Sequence, residues 1–149
     1  MSYTLQVPSE YGYVLTVAAS SLFINTYHFF LSANARKNSG IAYPTPYATK
    51  EQADKDPKAY KFNLAQRAHG NYTENLAPFL AALLISGLHF PIASAGLGAA
   101  WVFARFWYAA GYTGSGPRGR LPGFTISALS DLALKVMAVT TGVKMIQNA

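Results

Sequence analysis

Arg67, Asn71 and Glu74 place a guanidinium, a carboxamide and a carboxylate at the opening of an apolar stretch that runs to about residue 88. On a helix these positions are i, i+4 and i+7, within roughly 60° of one another. Asn63, one turn earlier, extends the same stripe. Polar side chains entering a membrane helix are costly unless they are paired or face a wet cavity. Together they make a candidate site for a small, highly polar molecule at the membrane boundary.

A second stripe follows at Arg105, Tyr108 and Tyr112, spaced i, i+3 and i+7. Taken singly, the tyrosines fit an interfacial aromatic belt and the arginine could snorkel. They gain functional meaning by falling at the same membrane boundary as the first stripe. Asp131 and Lys135, at i and i+4, read as an intramembrane ion pair facing other helices, with a proton relay as the alternative. Asn25 and His28 read as a polar pair bonding to a neighbouring helix, in preference to a catalytic histidine. With no cysteine and three scattered histidines, no disulfide, thiol nucleophile or metal site is expected.

The elements that must position these groups are helices in a bilayer. The chain has 149 residues, one domain by length, with 51% apolar and only 12% charged residues. No charge occurs between Glu10 and Arg36, and none between Glu74 and Arg105. A bilayer core demands such gaps. The net charge of +6 does not point to nucleic acid, because Lys50, Lys55, Lys58 and Lys61 share their segment with Glu51, Asp54 and Asp56. The first ten residues lack a basic run, so the first apolar segment is expected to remain as an anchor rather than a cleaved leader.

Four spans are expected, at about 11–35, 63–89, 92–112 and 123–145. The second should be interrupted and kinked at Pro78. Phe90-Pro91 should close a tight hairpin between the second and third, whose small residues over 93–100 let helices approach. Residues 38–61 form a polar connection, turned by Tyr43-Pro44-Thr45-Pro46-Tyr47 and solvated over the charged run 50–61, able to fold over the first stripe. Gly and Pro make 114–123 a loop. Four spans put Arg36, Lys37, the four loop lysines, Arg118 and Arg120 on one side, and little beyond Lys144 on the other. The basic side should face the cytosol, and the stripes with it. The expected fold is all-α: a single-domain up-down-up-down four-helix membrane bundle.

The run Arg67-Ala68-His69-Gly70-Asn71-Tyr72-Thr73-Glu74, followed by Ala77-Pro78-Phe79-Leu80, resembles the signature of the MAPEG family, membrane-associated proteins in eicosanoid and glutathione metabolism. The stretch Ala104-Arg105-Phe106-Trp107-Tyr108-Ala109-Ala110-Gly111-Tyr112-Thr113-Gly114 resembles its second block, and Ala35-Arg36-Lys37 with Tyr43-Pro44 adds to the likeness. The resemblance implies a four-helix subunit in a homotrimer, with glutathione bound between neighbouring subunits near the cytosolic face. By position it implies that Arg67, His69, Asn71 and Glu74 hold the tripeptide, that Arg105, Tyr108 and Tyr112 reach it across the subunit boundary, and that Arg36 and Lys37 contribute. The family's thiolate-stabilising arginine falls at Arg120, followed by Leu121-Pro122, with Arg118 as the second candidate. Asn75 stands where leukotriene-type members have tyrosine, and the loop after the third span differs in length.

Such a site suits its ligand. Glutathione carries two carboxylates, an ammonium and a thiol, for which Arg67, Arg105, Arg36 and Glu74 supply forks and an acid. A nearby guanidinium favours the thiolate; arginine stays protonated, so its role is electrostatic. The implied activity is a membrane glutathione transferase using glutathione as co-substrate, without metal. Its second substrate would be a lipophilic electrophile arriving through membrane lipid, or a lipid hydroperoxide, with leukotriene C4 synthase activity a variant of the same chemistry. The implied location is the endoplasmic reticulum or outer mitochondrial membrane. The alternatives are a non-catalytic lipid-binding member or a structural subunit of a larger membrane complex.

Overall fold

The computed structural model describes residues 7–147, so the reading of the first ten residues lies largely outside them. Among the described residues every regular element is helical. The helices are α1 (Tyr11–Ser39), α2 (Lys50–Lys55), α3 (Pro57–Gly87), α4 (Pro91–Ser115) and α5 (Leu121–Gln147). The four long helices agree in order with the expected spans, but the end of the first moves from 35 to 39, the start of the second from 63 to 57, the remaining ends by at most three residues, and α2 is new.

The two larger shifts and α2 each have a local cause. α1 runs to Ser39 because Gly40 takes the left-handed conformation (φ 68°) and its N–H caps the Arg36 and Lys37 carbonyls. Asp56 caps α3 by accepting from the Lys58 N–H, and Pro57 occupies the first turn, so the helix starts at Pro57 rather than 63. The charged run expected as solvated loop holds α2, closed by a capping box between Thr49 and Gln52. Two ion pairs, Lys50–Asp54 and Lys55–Glu51, both 2.6 Å, brace its exposed face.

α3 continues unbroken through Pro78 for 31 residues, about 46 Å, correcting the expected interruption. The proline's missing N–H leaves the Glu74 carbonyl without its usual helical partner. The tight turn after α3 is present: residues 88–90 alone separate it from α4, and Ser94 Oγ donates to Ser86 Oγ (2.8 Å) across the hairpin.

α3 and α4 pack against each other, α1 covers one side of the pair and α5 the other. The core lies between them. Phe79 stacks on Trp101 with ring centroids 3.7 Å apart, ringed by Val14, Tyr72, Leu83 and Leu134. The Tyr72 hydroxyl donates to the Ser21 carbonyl of α1. α1 and α5 are each long and apolar enough to cross a membrane, with a window of mean hydropathy 1.4. Outward-facing Phe23, Phe30, Phe103, Leu129, Leu132 and Val139 leave an apolar girdle on the outer faces of α1, α4 and α5.

Of the small residues over 93–100, Gly98 makes the close approach: a Cβ there would stand 2.8 Å from Leu83 and Val17. A tighter meeting joins α4 to the start of α5, where a Cβ on Gly111 would lie 2.1 Å from the Gly119 carbonyl oxygen. Backbone cannot yield there. Gly111→Ala is therefore expected to destabilise the protein by about 1–3 kcal/mol or more, read as a lower thermal midpoint in detergent. Gly96→Ala, with nothing within 4 Å of its Cβ, is the matched control and should hold or gain stability.

Candidate functional site

Among the described residues the most deeply buried charge is Arg105, only 3% exposed in the middle of the helices. Its Nη2 donates to Asn71 Oδ1 at 2.8 Å, tying α4 to α3. Its guanidinium carbon lies 4.7 Å from the Tyr108 ring centroid, 5.5 Å from Trp101 and 5.7 Å from Tyr72. A guanidinium sheltered from water needs such acceptors and ring faces to replace hydration. Arg105 and Asn71, expected on opposite sides of a subunit boundary, thus meet within one protomer.

One helical turn on, the same α4 face holds Arg120. Arg120 Nη1 donates to the Tyr108 hydroxyl oxygen at 3.3 Å, and its guanidinium lies 4.9 Å from the Tyr112 ring. The hydrogen bond to Tyr108 pushes the Arg120 pKa up, so the cation is secure. Tyr108 is buried, yet its own hydroxyl proton donates to nothing among the described residues. Arg118, two residues away, is exposed and has no side-chain partner. The structure thus separates the two loop arginines: Arg120 is oriented and Arg118 is free.

Arg67 and Glu74 are both exposed on α3, without a hydrogen bond or ion pair among the described residues. Arg67 does not contact Arg105. The stripe therefore divides, with Asn71 turned inward and its two charged neighbours outward. Asn63, expected to extend the stripe, is committed elsewhere. It accepts from the Ala48 N–H (2.8 Å) and donates to the Ala48 carbonyl (2.9 Å), while Gln66 donates to the Pro46 carbonyl. These bonds hold the 40–49 loop against the start of α3.

Arg36 is committed to the same loop. Its Nη1 donates to the carbonyls of Thr45 (2.8 Å) and Ile41 (3.3 Å), and its guanidinium lies between the Tyr43 and Phe62 rings at 4.2 and 4.5 Å. It is 8% exposed, a loop clamp in this protomer. Lys37 is exposed beside it. His69 is half-buried, with Nδ1 3.5 Å from Ser32 Oγ, and shares a small hollow with Arg36 and Tyr43.

Asn25 and His28 do not bond to a neighbouring helix as expected. Asn25 Oδ1 and both His28 ring nitrogens are buried without a partner among the described residues; at His28 the reason is that α3 presents rings. His28 stacks on Tyr72 at 4.8 Å and on His69 at 6.0 Å. The Asp131–Lys135 pair forms at 2.5 Å, but only Asp131 faces other helices; the Lys135 side chain is half exposed. Asp131 lines a cavity of about 180 Å³ with Asn71, Asn75, Trp101, Arg105 and Ser127. Sequence reasoning missed Trp101, Tyr72 and Ser127 because each is an ordinary membrane-helix residue until the opposing helix is in place.

The joined blocks on α3 and α4 bear on relationship. Residues 14–140 match the MAPEG family model. The chain belongs to the MAPEG family. That match takes in all but the first three residues of α1, both polar stripes and most of α5. MAPEG proteins include membrane glutathione transferases and related enzymes of eicosanoid and glutathione metabolism, and the apolar α1 and α5 accord with a membrane protein.

Removing the acceptor of Arg105 isolates the central bond. Asn71→Ala should cost about 2–3 kcal/mol in thermal or denaturant unfolding, because a buried cation loses a charge-assisted bond. Asn71→Asp, which keeps an acceptor oxygen, should recover most of it.

Proposed function

We propose that this MAPEG protein is a membrane-bound glutathione transferase, resembling microsomal glutathione S-transferase 3, working as a homotrimer of four-span subunits. Its active site faces the cytosol at the endoplasmic reticulum or outer mitochondrial membrane. The observation that carries this reading is the pairing of Arg120 with the Tyr108 hydroxyl and the Tyr112 ring, one turn from Arg105–Asn71.

The chemistry follows from those groups. Glutathione's thiol is mostly protonated at neutral pH and the thiolate is the nucleophile. Beside Arg120 the thiolate is stabilised, and every unit by which its pKa falls corresponds to about 1.4 kcal/mol. The free Tyr108 proton is placed to donate a hydrogen bond to the same sulfur. The S–H proton leaves to water, the thiolate forms a bond to the electrophilic carbon, and either the acceptor's leaving group departs with its electron pair or, in an addition, the displaced pair stays on the acceptor and takes up a proton from water. With a lipid hydroperoxide the thiolate would instead attack the terminal oxygen; the O–O bond breaks, the alkoxide takes up a proton to leave as the alcohol, and the glutathione sulfenic acid so formed reacts with a second glutathione to give the disulfide and water.

Arg67 and Glu74 support the binding half of the reading. Both are charged, outward-facing and unpaired in the protomer, at opposite signs suited to a carboxylate and an ammonium. His69 faces α1 beside Arg36, Lys37 is exposed at the end of α1, and Arg36 contributes by holding the loop. Arg105 acts through Asn71 as a positioning residue, and Tyr112 through Arg120. A homotrimer would bring a neighbour's Arg120 to the Arg67 face. Asn75 in place of the leukotriene-type tyrosine favours small or varied electrophiles over leukotriene C4 synthesis.

Arg120→Ala should abolish the ultraviolet thiolate absorbance of bound glutathione while calorimetry still records binding. Arg118→Ala should leave the absorbance intact. An unchanged signal in Arg120→Ala would overturn the assignment. Arg67→Ala should instead weaken glutathione binding about 10- to 100-fold, the loss of one charge-assisted contact of about 1.5–3 kcal/mol.

A further inference from the structure

The seam between α1 and α4, which the proposed chemistry does not use, carries two hollows in line. The upper, about 390 Å³, lies between α1 (Leu31, Asn34, Asn38) and the start of α3 (Lys58, Lys61, Ala65) and meets α4 at Thr113, so the seam widens there to include α3. The lower, about 320 Å³, is almost wholly apolar, between Val17 and Ile24 of α1 and Val102 and Phe103 of α4. Positions 17, 20, 24, 31, 34 and 38 recur every three or four residues and fall near one stripe of α1. From Ile24 to Asn38 that stripe covers about 21 Å. Between the hollows, Tyr27 and Phe106 meet with ring centroids 4.9 Å apart, flooring the groove with aromatic surface.

The charge at the upper end is uncompensated. Lys50 and Lys55 on α2 each have an acidic partner one turn away, and Lys135 has Asp131. Lys58 and Lys61, which line the hollow, enter no ion pair among the described residues. Two free ammonium groups therefore stand over an apolar cleft that descends beside a membrane helix. Arg67 lies on the far side of α3 from Lys58, Lys61 and Ala65, six and two positions away from the last two, so this seam is separate from the proposed glutathione site.

We propose that the α1–α4 seam is a binding site for one anionic phospholipid, its phosphate headgroup between Lys58 and Lys61 and an acyl chain along Ile24, Phe103 and Val102. The carboxamides of Asn34 and Asn38 donate to headgroup oxygens, and the ammonium groups select negative charge over a zwitterion. Exposed lysines near an anionic surface attract it additively. This inference is independent of the transferase reading.

The test is native mass spectrometry of the full chain in detergent, titrated with phosphatidylglycerol and with phosphatidylcholine of the same chains. Phosphatidylglycerol should be retained in preference. Lys58→Gln combined with Lys61→Gln should weaken it about 25-fold, about five-fold for each lysine, and leave phosphatidylcholine unchanged. Val102→Trp, which fills the lower hollow without touching a charge, should weaken both lipids. Equal retention of the two lipids by the parent protein would overturn the proposal, as would undiminished phosphatidylglycerol binding in either variant. Displacement of the lipid by chain-free glycerophosphate at matched concentration would instead make this a site for soluble phosphate.

Discussion

A cation that water cannot reach is the constraint around which this fold is arranged. Arg105 is carried into the helix core by α4, where its charge has no solvent to neutralise it. The protein answers with one carboxamide oxygen from α3 and three aromatic faces from α3 and α4. Trp101 serves twice, offering one face of its ring system near Arg105 while stacking on Phe79 in the apolar core. The register of α3 on α4 is thereby set by a polar contact, which has direction, as well as by apolar packing, which has little.

From that register the meeting of α4 with the start of α5 follows. α4 presents Tyr108 and Tyr112 toward the start of α5, and glycines at 111, 119 and 123 let the backbones come into direct contact there. With the backbones so close, Arg120 has little choice but to lie along the tyrosine pair. Arg118, two residues earlier in the turn, has no such surface and stays in solvent. One loop thus holds an oriented guanidinium and a free one, a difference made by backbone proximity rather than by residue type.

The polar residues that the sequence singled out on α1 and α3 around the 40–49 loop and the first stripe sort into two kinds. Arg36 and Asn63 are satisfied by backbone groups of the 40–49 loop and give it its shape. Arg67, Glu74 and Lys37 are left outward-facing. This division separates residues that build the protomer from those available to a ligand or a neighbouring subunit, and membership of the MAPEG family is consistent with both kinds being present. Asp131 belongs to neither: it is half of a surface ion pair that also reaches the cavity beside Arg105, so it couples the lipid-facing side of α5 to the buried polar centre.

The amino-acid sequence by itself determined the helical class, the order of four long apolar segments, the tight turn at Phe90-Pro91 and the two polar stripes, because each is a matter of period and local chemistry along one helix. Its pattern of blocks was also enough to point to the family. What lay beyond it were facts about pairs of helices. That Arg105 reaches Asn71 inside a single protomer, that Arg36 spends its donors on Thr45 and Ile41, that Asn25 and His28 meet rings instead of polar partners, and that Arg120 rather than Arg118 is held in place all depend on which surfaces oppose one another. A stripe on one helix has a fixed composition but no partner until a second helix is laid against it, and only the tertiary structure decides whether a charge in that stripe becomes a strut or remains free to bind.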